Sequence, residues 1–394
     1  MATQQPIVDP SRRIAPDLTL EFLQKLKLDA LISEVRKPVE PLVYARTTDK
    51  VSLILNLLRI HDIISLPIYD PIKGKFIAII NVVHIVKFLM LRKVYTIPVS
   101  TNEPIDGKYE LGDRIREDLK DVYDLPITEV INSIDPTTLA SFKMYHKNVP
   151  LIACLQVMGT KENVYSILSS VAKEKEKMEG EVRQAIIITQ WDAINFLINN
   201  ETLKQNNAFD LPASKAMQRN WISFTGKDDP NQPSHRLPET SAKMTFALSI
   251  TQEMSAFAGF KIMAIHKLSS IAVVDNDSKL VDNLSASDIR FLTIDNIIDG
   301  LLPGKYLLLL IQEFLQKIRS HPKEVAACTE DTKLEEIMRS AISIGVHRIW
   351  VKEKGTDKPI GVVSMSDMLD MLVGHIRPHE FVDMEWLNDF NMKK

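Results

Sequence analysis

The 394-residue chain carries 48 lysines and arginines against 51 aspartates and glutamates, a net charge of −3. That balance excludes a global basic field drawing in nucleic acid or anionic lipid, so any phosphate recognition must come from local cations. The two cysteines, Cys154 and Cys328, sit in no CxxC or Cys/His cluster, which excludes a disulfide framework and argues against zinc. With 45% hydrophobic residues there is ample material for sizeable cores. The apolar runs, such as 306–311, fall far short of the roughly 20 residues that span a bilayer. Residues 1–17 contain no apolar signal core. These features predict a cytoplasmic protein, with access to the nucleus, that engages neither membrane nor nucleic acid.

Taken in chain order, residues 51–60 read as a helix. Ser65–Tyr69 follows as a strand, 71–74 as a turn, and Phe76–Ile80 as a second strand running into a helix from Val83. Residues 100–123 read as a polar connector. Further on, a helix is expected around 164–175, then a strand over 184–189 and a helix opened by Asp192. The charged run at 173–180 hides any middle strand there and reads as a solvated helix face. Residues 225–240, rich in Pro, Asp and Asn, read as the largest loop. Residues 246–257 are expected to be a helix, 270–275 a strand, 276–279 a turn and 280–285 a strand, with Asp288 opening a further helix. The last stretch is the clearest. A strand over 324–328 leads to a helix from Lys333 to about Ile344, capped by Asp331 and Thr332 and stopped by Gly345. Strands over 346–351 and 360–364 follow, then a helix from Ser366 and Asp367.

The order strand, helix, strand, strand, helix thus recurs four times, with fidelity falling away from the C-terminus. Self-similarity on this scale marks a repeat protein. The division is 1–30 as an N-terminal segment, 31–97, 125–200, 212–296 and 318–375 as repeats one to four, and 376–394 as a tail. Repeats one and two are expected to pair, as are three and four, because one unit cannot bury both helix faces alone. The fold class is α/β: four small sheets, each packed by two helices.

Three repeats close their last strand on a hydroxyl residue with an acid three positions on: Thr189 and Asp192, Ser285 and Asp288, Ser364 and Asp367. A carboxylate fixed at a helix start can accept hydrogen bonds from two vicinal hydroxyls, as on a ribose. Backbone N–H groups at the same start favour phosphate. The same spacing is also an ordinary helix cap, and the two roles are compatible.

The run Gly361-Val-Val-Ser-Met-Ser-Asp367 resembles the closing signature of a cystathionine-β-synthase (CBS) motif. Together with 346–351 it resembles the fourth repeat of the γ regulatory subunits of AMP-activated/SNF1-type protein kinases. Residues 65–70 and 283–290 resemble the first and third repeats of that family. The resemblance implies two tandem pairs of CBS repeats stacked in a disc, with AMP, ADP or ATP as ligand and no required cofactor. It implies phosphate contacts from His347 and Arg348. Ribose contacts fall to Asp192, Asp288 and Asp367, beside Thr189, Ser285 and Ser364, with Ser366 on the phosphate side. It further implies kinase catalytic and scaffolding subunits as partners. Two departures stand out. Repeat one has His84 where the acid belongs, which implies an altered or empty site, and Ile64 replaces an arginine of the family. His266 and Lys267 are further basic candidates.

No Walker loop, GxGxxG, HExxH or GxSxG occurs, and the lysine and catalytic-loop motifs of a kinase are absent. The chain therefore reads as a non-catalytic, energy-sensing regulatory subunit. A stand-alone CBS-repeat sensor or a ligand-free scaffold for another enzyme are the alternatives.

Overall fold

The computed structural model describes residues 17–35, 42–91, 119–134, 136, 139, 142, 144–160, 164–170, 185–217, 220–224, 246–292, 303–319 and 325–373. Two helices come first, α1 (Asp17–Lys25) and α2 (Leu28–Val35). Repeat one follows as β1 (Ala45–Arg46), α3 (Val51–Ile60), β2 (Ser65–Asp70), β3 (Lys75–Asn81) and α4 (Val82–Leu91). After α5 (Ile127–Ser133), repeat two comprises β4 (Met144–His146), α6 (Leu151–Thr160), β5 (Ser166–Ser170), β6 (Ala185–Thr189) and α7 (Gln190–Asn199). Two short helices, α8 (Glu201–Gln205) and α9 (Ala213–Ala216), lead to repeat three. It has an extra strand β7 (Asn220–Phe224), then β8 (Phe246–Thr251), α10 (Ala256–His266), β9 (Ser270–Val274), β10 (Leu280–Ser285) and a 3-10 helix over Ala286–Phe291. Helices α11 (Pro303–Tyr306) and α12 (Ile311–Ile318) precede repeat four: β11 (Ala327–Thr329), α13 (Leu334–Ile344), β12 (Arg348–Lys352), β13 (Pro359–Ser364) and α14 (Met365–Val373).

The four sheets share one plan. The opening strand runs parallel to the middle strand and the last strand antiparallel to it. Their registers superpose the repeats residue by residue. Ser65 faces Asn81, Ser166 faces Thr189, Ser270 faces Ser285 and Arg348 faces Ser364. One residue earlier, the carbonyls of Ile64, Tyr165, Ser269 and His347 each accept the first N–H of the closing helix. The structure thereby aligns Arg348 with three serines and His347 with Ile64, Tyr165 and Ser269.

Sheets join repeats within a pair. Phe76 and Tyr69 of repeat one pack with Leu168 and Ile187 of repeat two, while Ala272 of repeat three packs with Trp350 and Val362 of repeat four. Helices join repeats across the pairs. α4 lies on α10 in a core shared by repeats one and three, and α6 lies on α14 in a core shared by two and four. The α6–α14 crossing is close: a Cβ on Gly159 would stand 2.9 Å from the Asp370 backbone nitrogen. The expected pairing holds, but its expected reason needs correction. The helix faces are buried between pairs, not within them.

The segment ahead of each repeat is exchanged with its partner. Isolated bridges join Lys27 to Pro150, Lys50 to Pro126, Pro212 to Lys333 and Ser255 to Leu310. α2 therefore docks on repeat two and α5 on repeat one, while α9 docks on repeat four and α12 on repeat three.

Several expectations are corrected. Residues 246–251 form a strand, because Leu248 and Ile250 alternate into the core and the helix starts only after the Ser255 cap. Residues 166–170 are the middle strand of repeat two, and its opening helix is 151–160, where Leu151, Leu155 and Met158 share the buried face. The charged run at 173–180 and the loop at 225–240 lie outside the described residues. Residues 119–123 are helical, with Leu119, Val122 and Tyr123 buried. At α13 the N-cap is Lys333 without a side-chain cap. Thr332 instead accepts the Thr329 N–H at 3.1 Å, while Gly345 ends the helix at φ 76° as expected.

Candidate functional site

The candidate site residues sit where the last strand of each repeat turns into its closing helix. In repeat two the Thr189 N–H donates to Asp192 Oδ2 at 2.8 Å, its hydroxyl donates to the same oxygen at 2.7 Å, and the Asp192 N–H returns to Thr189 Oγ1 at 3.2 Å. Repeat four repeats this with Ser364 and Asp367 at 2.7, 2.5 and 3.2 Å. In both, the same carboxylate oxygen, Oδ2, takes the cap bonds. Burial is the largest influence on Asp192 and holds its carboxyl above the usual range, against the Thr189 hydrogen bonds.

Repeat three departs from this pattern. The Ser285 N–H donates to Asp288 Oδ2 at 2.8 Å, but the Ser285 hydroxyl accepts from the Ser287 hydroxyl at 2.9 Å. The buried Asp288 carboxylate also lies 3.5 Å from the Arg319 guanidinium, which pairs with Asp282 at 2.6 Å and donates to the Asn283 carbonyl at 2.7 Å. Burial raises the Asp288 carboxyl, with Arg319 the largest influence pulling it back. In repeat one the same box is rebuilt without an acid. The Asn81 N–H donates to His84 Nδ1 at 3.3 Å and the His84 N–H to Asn81 Oδ1 at 3.0 Å. An accepting Nδ1 places the ring proton on Nε2. Burial lowers the imidazole to about 4, with Lys87 adding to it, so His84 is neutral at physiological pH.

His347 and Arg348 diverge. Arg348 donates to Ser269 Oγ at 2.9 Å at the contact between repeats three and four, and its charge is felt by Tyr165 and Asp367. His347 is lowered to about 4, by burial first and then by Arg348 and Arg290, against Asp62. Adjacent residues entering a strand point to opposite faces, as this split shows. Ser366 receives a hydrogen bond from Gln190 at 2.8 Å and so lies at the contact with repeat two. His266 ends α10, followed by Lys267 in the left-handed conformation at φ 55°.

Two participants, Arg290 and Arg319, were not singled out from sequence. Arg290 donates to the Leu58 and Ile63 carbonyls at 3.3 and 3.1 Å and pairs with Asp62 at 2.9 Å, tying repeat three to the end of α3. Arg290 stands two positions after Asp288, inside the motif already recognised, so that neighbourhood was the available signal. Arg319 meets Asp288 only through the fold, and no local pattern announces it.

A cleft of about 550 Å³, counted with its open mouth, lies between repeats one and two. Its walls include Asn81, His84, Phe142, Tyr145, Val157 and Tyr165. Ser65 and Ser166, equivalent residues of the two repeats, share a hydrogen bond of 2.9 Å at its floor. Among the described residues no group of three or more His, Cys, Asp or Glu is placed to hold a metal, and no helix is long and apolar enough to cross a membrane.

Four strand–helix–strand–strand–helix units, paired through sheets with polar boxes at the strand ends, define a CBS-repeat protein, and residues 319–374 match the CBS domain family. The chain resembles γ regulatory subunits of SNF1-related kinases. It is 26% identical over 133 residues to the Arabidopsis thaliana protein named SNF1-related protein kinase regulatory subunit gamma-1-like, covering 32% of this chain and 29% of that one. It is 28% identical over 94 residues to the gamma-like subunit PV42a of the same plant, covering 24% of this chain and 25% of that one. The matches thus span under a third of either relative. A solved structure from Methanocaldococcus jannaschii, described as a candidate archaeal homolog of g-AMPK, superposes with TM-score 0.55 at 15% identity, over 86% of this chain and 98% of that one, a likeness of fold.

Proposed function

We propose that the chain is an adenine-nucleotide-sensing regulatory subunit of an SNF1/AMP-activated-type protein kinase, binding AMP, ADP or ATP through its CBS sites and working in the cytoplasm or nucleus. The reading rests chiefly on one observation. At the contact between repeats three and four, where Arg348 donates to Ser269, the charge of the Asp367 carboxylate held in the Ser364–Asp367 box acts on the Arg348 guanidinium. A ribose and its phosphate present those two needs together: an acceptor for vicinal hydroxyls and a permanent cation for the phosphate. Asp192 offers a second acid of the same geometry, and Asp288 a third that is already paired with Arg319. On this reading the chain performs no chemistry itself. Nucleotide shifts the population of conformers in catalytic and scaffolding subunits through its differential affinity for them.

Calorimetric titration of the full chain with AMP, ADP and ATP tests the ligand, and co-purification with kinase catalytic and scaffolding subunits tests the complex. Saturable, salt-sensitive nucleotide binding with kinase capture is expected. Binding without capture supports the stand-alone sensor, and the absence of both overturns the reading. The replaced acid in repeat one and the paired acid in repeat three favour a sensor with fewer sites than repeats.

A further inference from the structure

We propose that Arg290 and Asp62 form a latch between the two pairs of repeats, through which the acid junction of repeat three and the strand entry of repeat one open and close together. This goes beyond the nucleotide reading and does not depend on it.

The four closing helices differ at one telling position. Two residues after the acid, or after His84 in repeat one, stand Val86, Ile194, Arg290 and Leu369. Val86, Ile194 and Leu369 are fully buried in the cores shared across the pairs. A guanidinium cannot take that place without partners, because burying an unpaired charge is costly. The backbone of repeat three differs at the same point. It closes on a 3-10 helix, Ala286–Phe291, where the other three repeats close on the α-helices α4, α7 and α14. A 3-10 run of that length is uncommon and marks strain or a hinge. Within it Arg290 Nε donates to the Ser287 carbonyl at 3.0 Å. Its Nη1 crosses to repeat one, donating to the Leu58 and Ile63 carbonyls and pairing with Asp62 at 2.9 Å.

The receiving end has a matching oddity. α3 closes with the Asp62 N–H donating to the Arg59 carbonyl at 3.2 Å and the Ile63 N–H to the Leu58 carbonyl at 3.0 Å. That closure sets Asp62 at φ 49°, a place that favours glycine and that Gly345 holds in repeat four. Asp62 keeps a carboxylate there, and Arg290 is its partner. The latch grips Ile63, whose neighbour Ile64 accepts the first N–H of α4 at 3.0 Å. At its other end Arg290 stands two residues from Asp288, which accepts the Ser285 N–H at 2.8 Å. One side chain thus joins two strand–helix junctions, one in each pair. His347 of repeat four feels the charges of both Arg290 and Asp62.

The test is hydrogen exchange on the full chain with Arg290→Gln and Asp62→Gly. Glutamine keeps a donor but cannot span two carbonyls and a carboxylate. Arg290→Gln is expected to speed exchange about tenfold at Ile63 in repeat one as well as within residues 285–292. Asp62→Gly relieves the left-handed backbone, yet it should speed exchange about threefold within 285–292, an element to which it does not belong; the effect is smaller because the Asp62 side chain is 89% exposed. The double variant should add nothing to Arg290→Gln within 285–292, since the pair is already broken. Purely local roles would confine each variant to its own segment. Unchanged exchange at Ile63 in Arg290→Gln, unchanged exchange within 285–292 in Asp62→Gly, or full additivity overturns the proposal. Should Arg290→Gln fail to fold, Asp62→Gly, at an exposed side chain, still decides.

Discussion

The two pairs of repeats share a backbone plan and differ in where they keep charge. In the pair of repeats three and four, the strand ends carry Arg348, Asp367 and Asp288, Arg319 reaches Asp288 from the end of α12, and the guanidinium of Arg348 crosses from one repeat to a serine of the other. In the pair of repeats one and two, the crossing contact is serine to serine, one acid has become a neutral histidine, and the remaining acid, Asp192, lies outside the open cleft's lining. One scaffold thus places charged side chains at one contact between paired repeats and, among the described residues, uncharged ones at the other. The backbone hydrogen bonds that build each junction are indifferent to whether the third residue after the strand is Asp or His, since both can accept the N–H at the strand end. The fold therefore constrains the cap and leaves the charge free to vary.

The largest expected effect concerns Arg319. It holds two carboxylates, those of Asp282 and Asp288, the latter buried. Arg319→Ala leaves both without their cation. Breaking a buried pair from one side costs about 3 kcal/mol. Thermal or denaturant unfolding should show a loss of that order, with repeat three opening first in hydrogen exchange. Arg319→Ala with Asp288→Asn together should recover part of it, because the stranded charge is gone. A loss below about 1 kcal/mol for Arg319→Ala would show the network to be solvent-screened and the charged contact less distinct than it looks.

Next in size is Arg348→Ala, which removes the cation from the contact between repeats three and four. A charge-assisted hydrogen bond contributes about 1.5–3 kcal/mol, so AMP affinity should fall roughly tenfold or more while adenosine affinity changes little. Asp367→Ala should weaken AMP and adenosine alike if it holds the ribose as proposed, at a cost to the cap of about 1 kcal/mol. Calorimetry of both ligands against both variants separates phosphate from ribose. Equal losses of AMP and adenosine on Arg348→Ala would assign it to the shape of the site.

The histidines make a third, smaller contrast. Both histidines are lowered from 6.5 to about 4, by burial first, with the charges of Arg348 and Arg290 adding to it against Asp62 at His347 and that of Lys87 adding to it at His84. A folded value below the unfolded one means that the unfolded chain binds protons first. Stability contributed by each neutral imidazole is full above about pH 6.5 and is lost as pH falls towards about 4. Discounted for partial exposure, the loss is on the order of 2 kcal/mol per histidine. Asp192 and Asp288, raised by burial, act in the opposite sense. Unfolding curves between pH 7 and 4.5 should show the net loss, and His84→Asn and His347→Gln should each flatten part of it.

Much of this contrast was visible in the sequence, and the limits have physical causes. Repeat four was legible because α13 is amphipathic and stops at a glycine in the left-handed conformation. Repeats two and three were misread where helices are apolar all round. α10 buries nine consecutive residues and α6 has no polar face, so neither shows the helical period. The hydroxyl and acid boxes were found by spacing alone. The exchanged helices were missed because the pattern that recurs, a short apolar turn docked on the neighbouring repeat, is carried by backbone bridges that any residue can make. Arg319 and the cleft between repeats one and two arise only when distant segments meet.

The smallest expected effect returns to the position where the pairs diverge. His84→Asp restores the acid that the other three repeats carry. The Asn81 N–H that now donates to Nδ1 would donate to a carboxylate oxygen, as the Ser364 N–H does to Asp367 at 2.7 Å. The cap is thus conserved in geometry. A carboxylate accepts from an N–H more strongly than an imidazole, but it must also lose water in a cleft lined by apolar side chains. These terms oppose each other, and the melting midpoint should move by an amount corresponding to less than about 1 kcal/mol. The binding change should be specific. One carboxylate oxygen is taken by the cap and the second faces the cleft, where it can accept from vicinal hydroxyls. Adenosine should gain up to about tenfold at this cleft while adenine stays level, and AMP should gain less than adenosine because no cation has been added. A gain shared equally by adenine and adenosine would mean the acid reshaped the pocket without meeting a ribose. A gain largest for AMP would mean that a cation reaches this cleft and that its neutrality does not extend to the whole site.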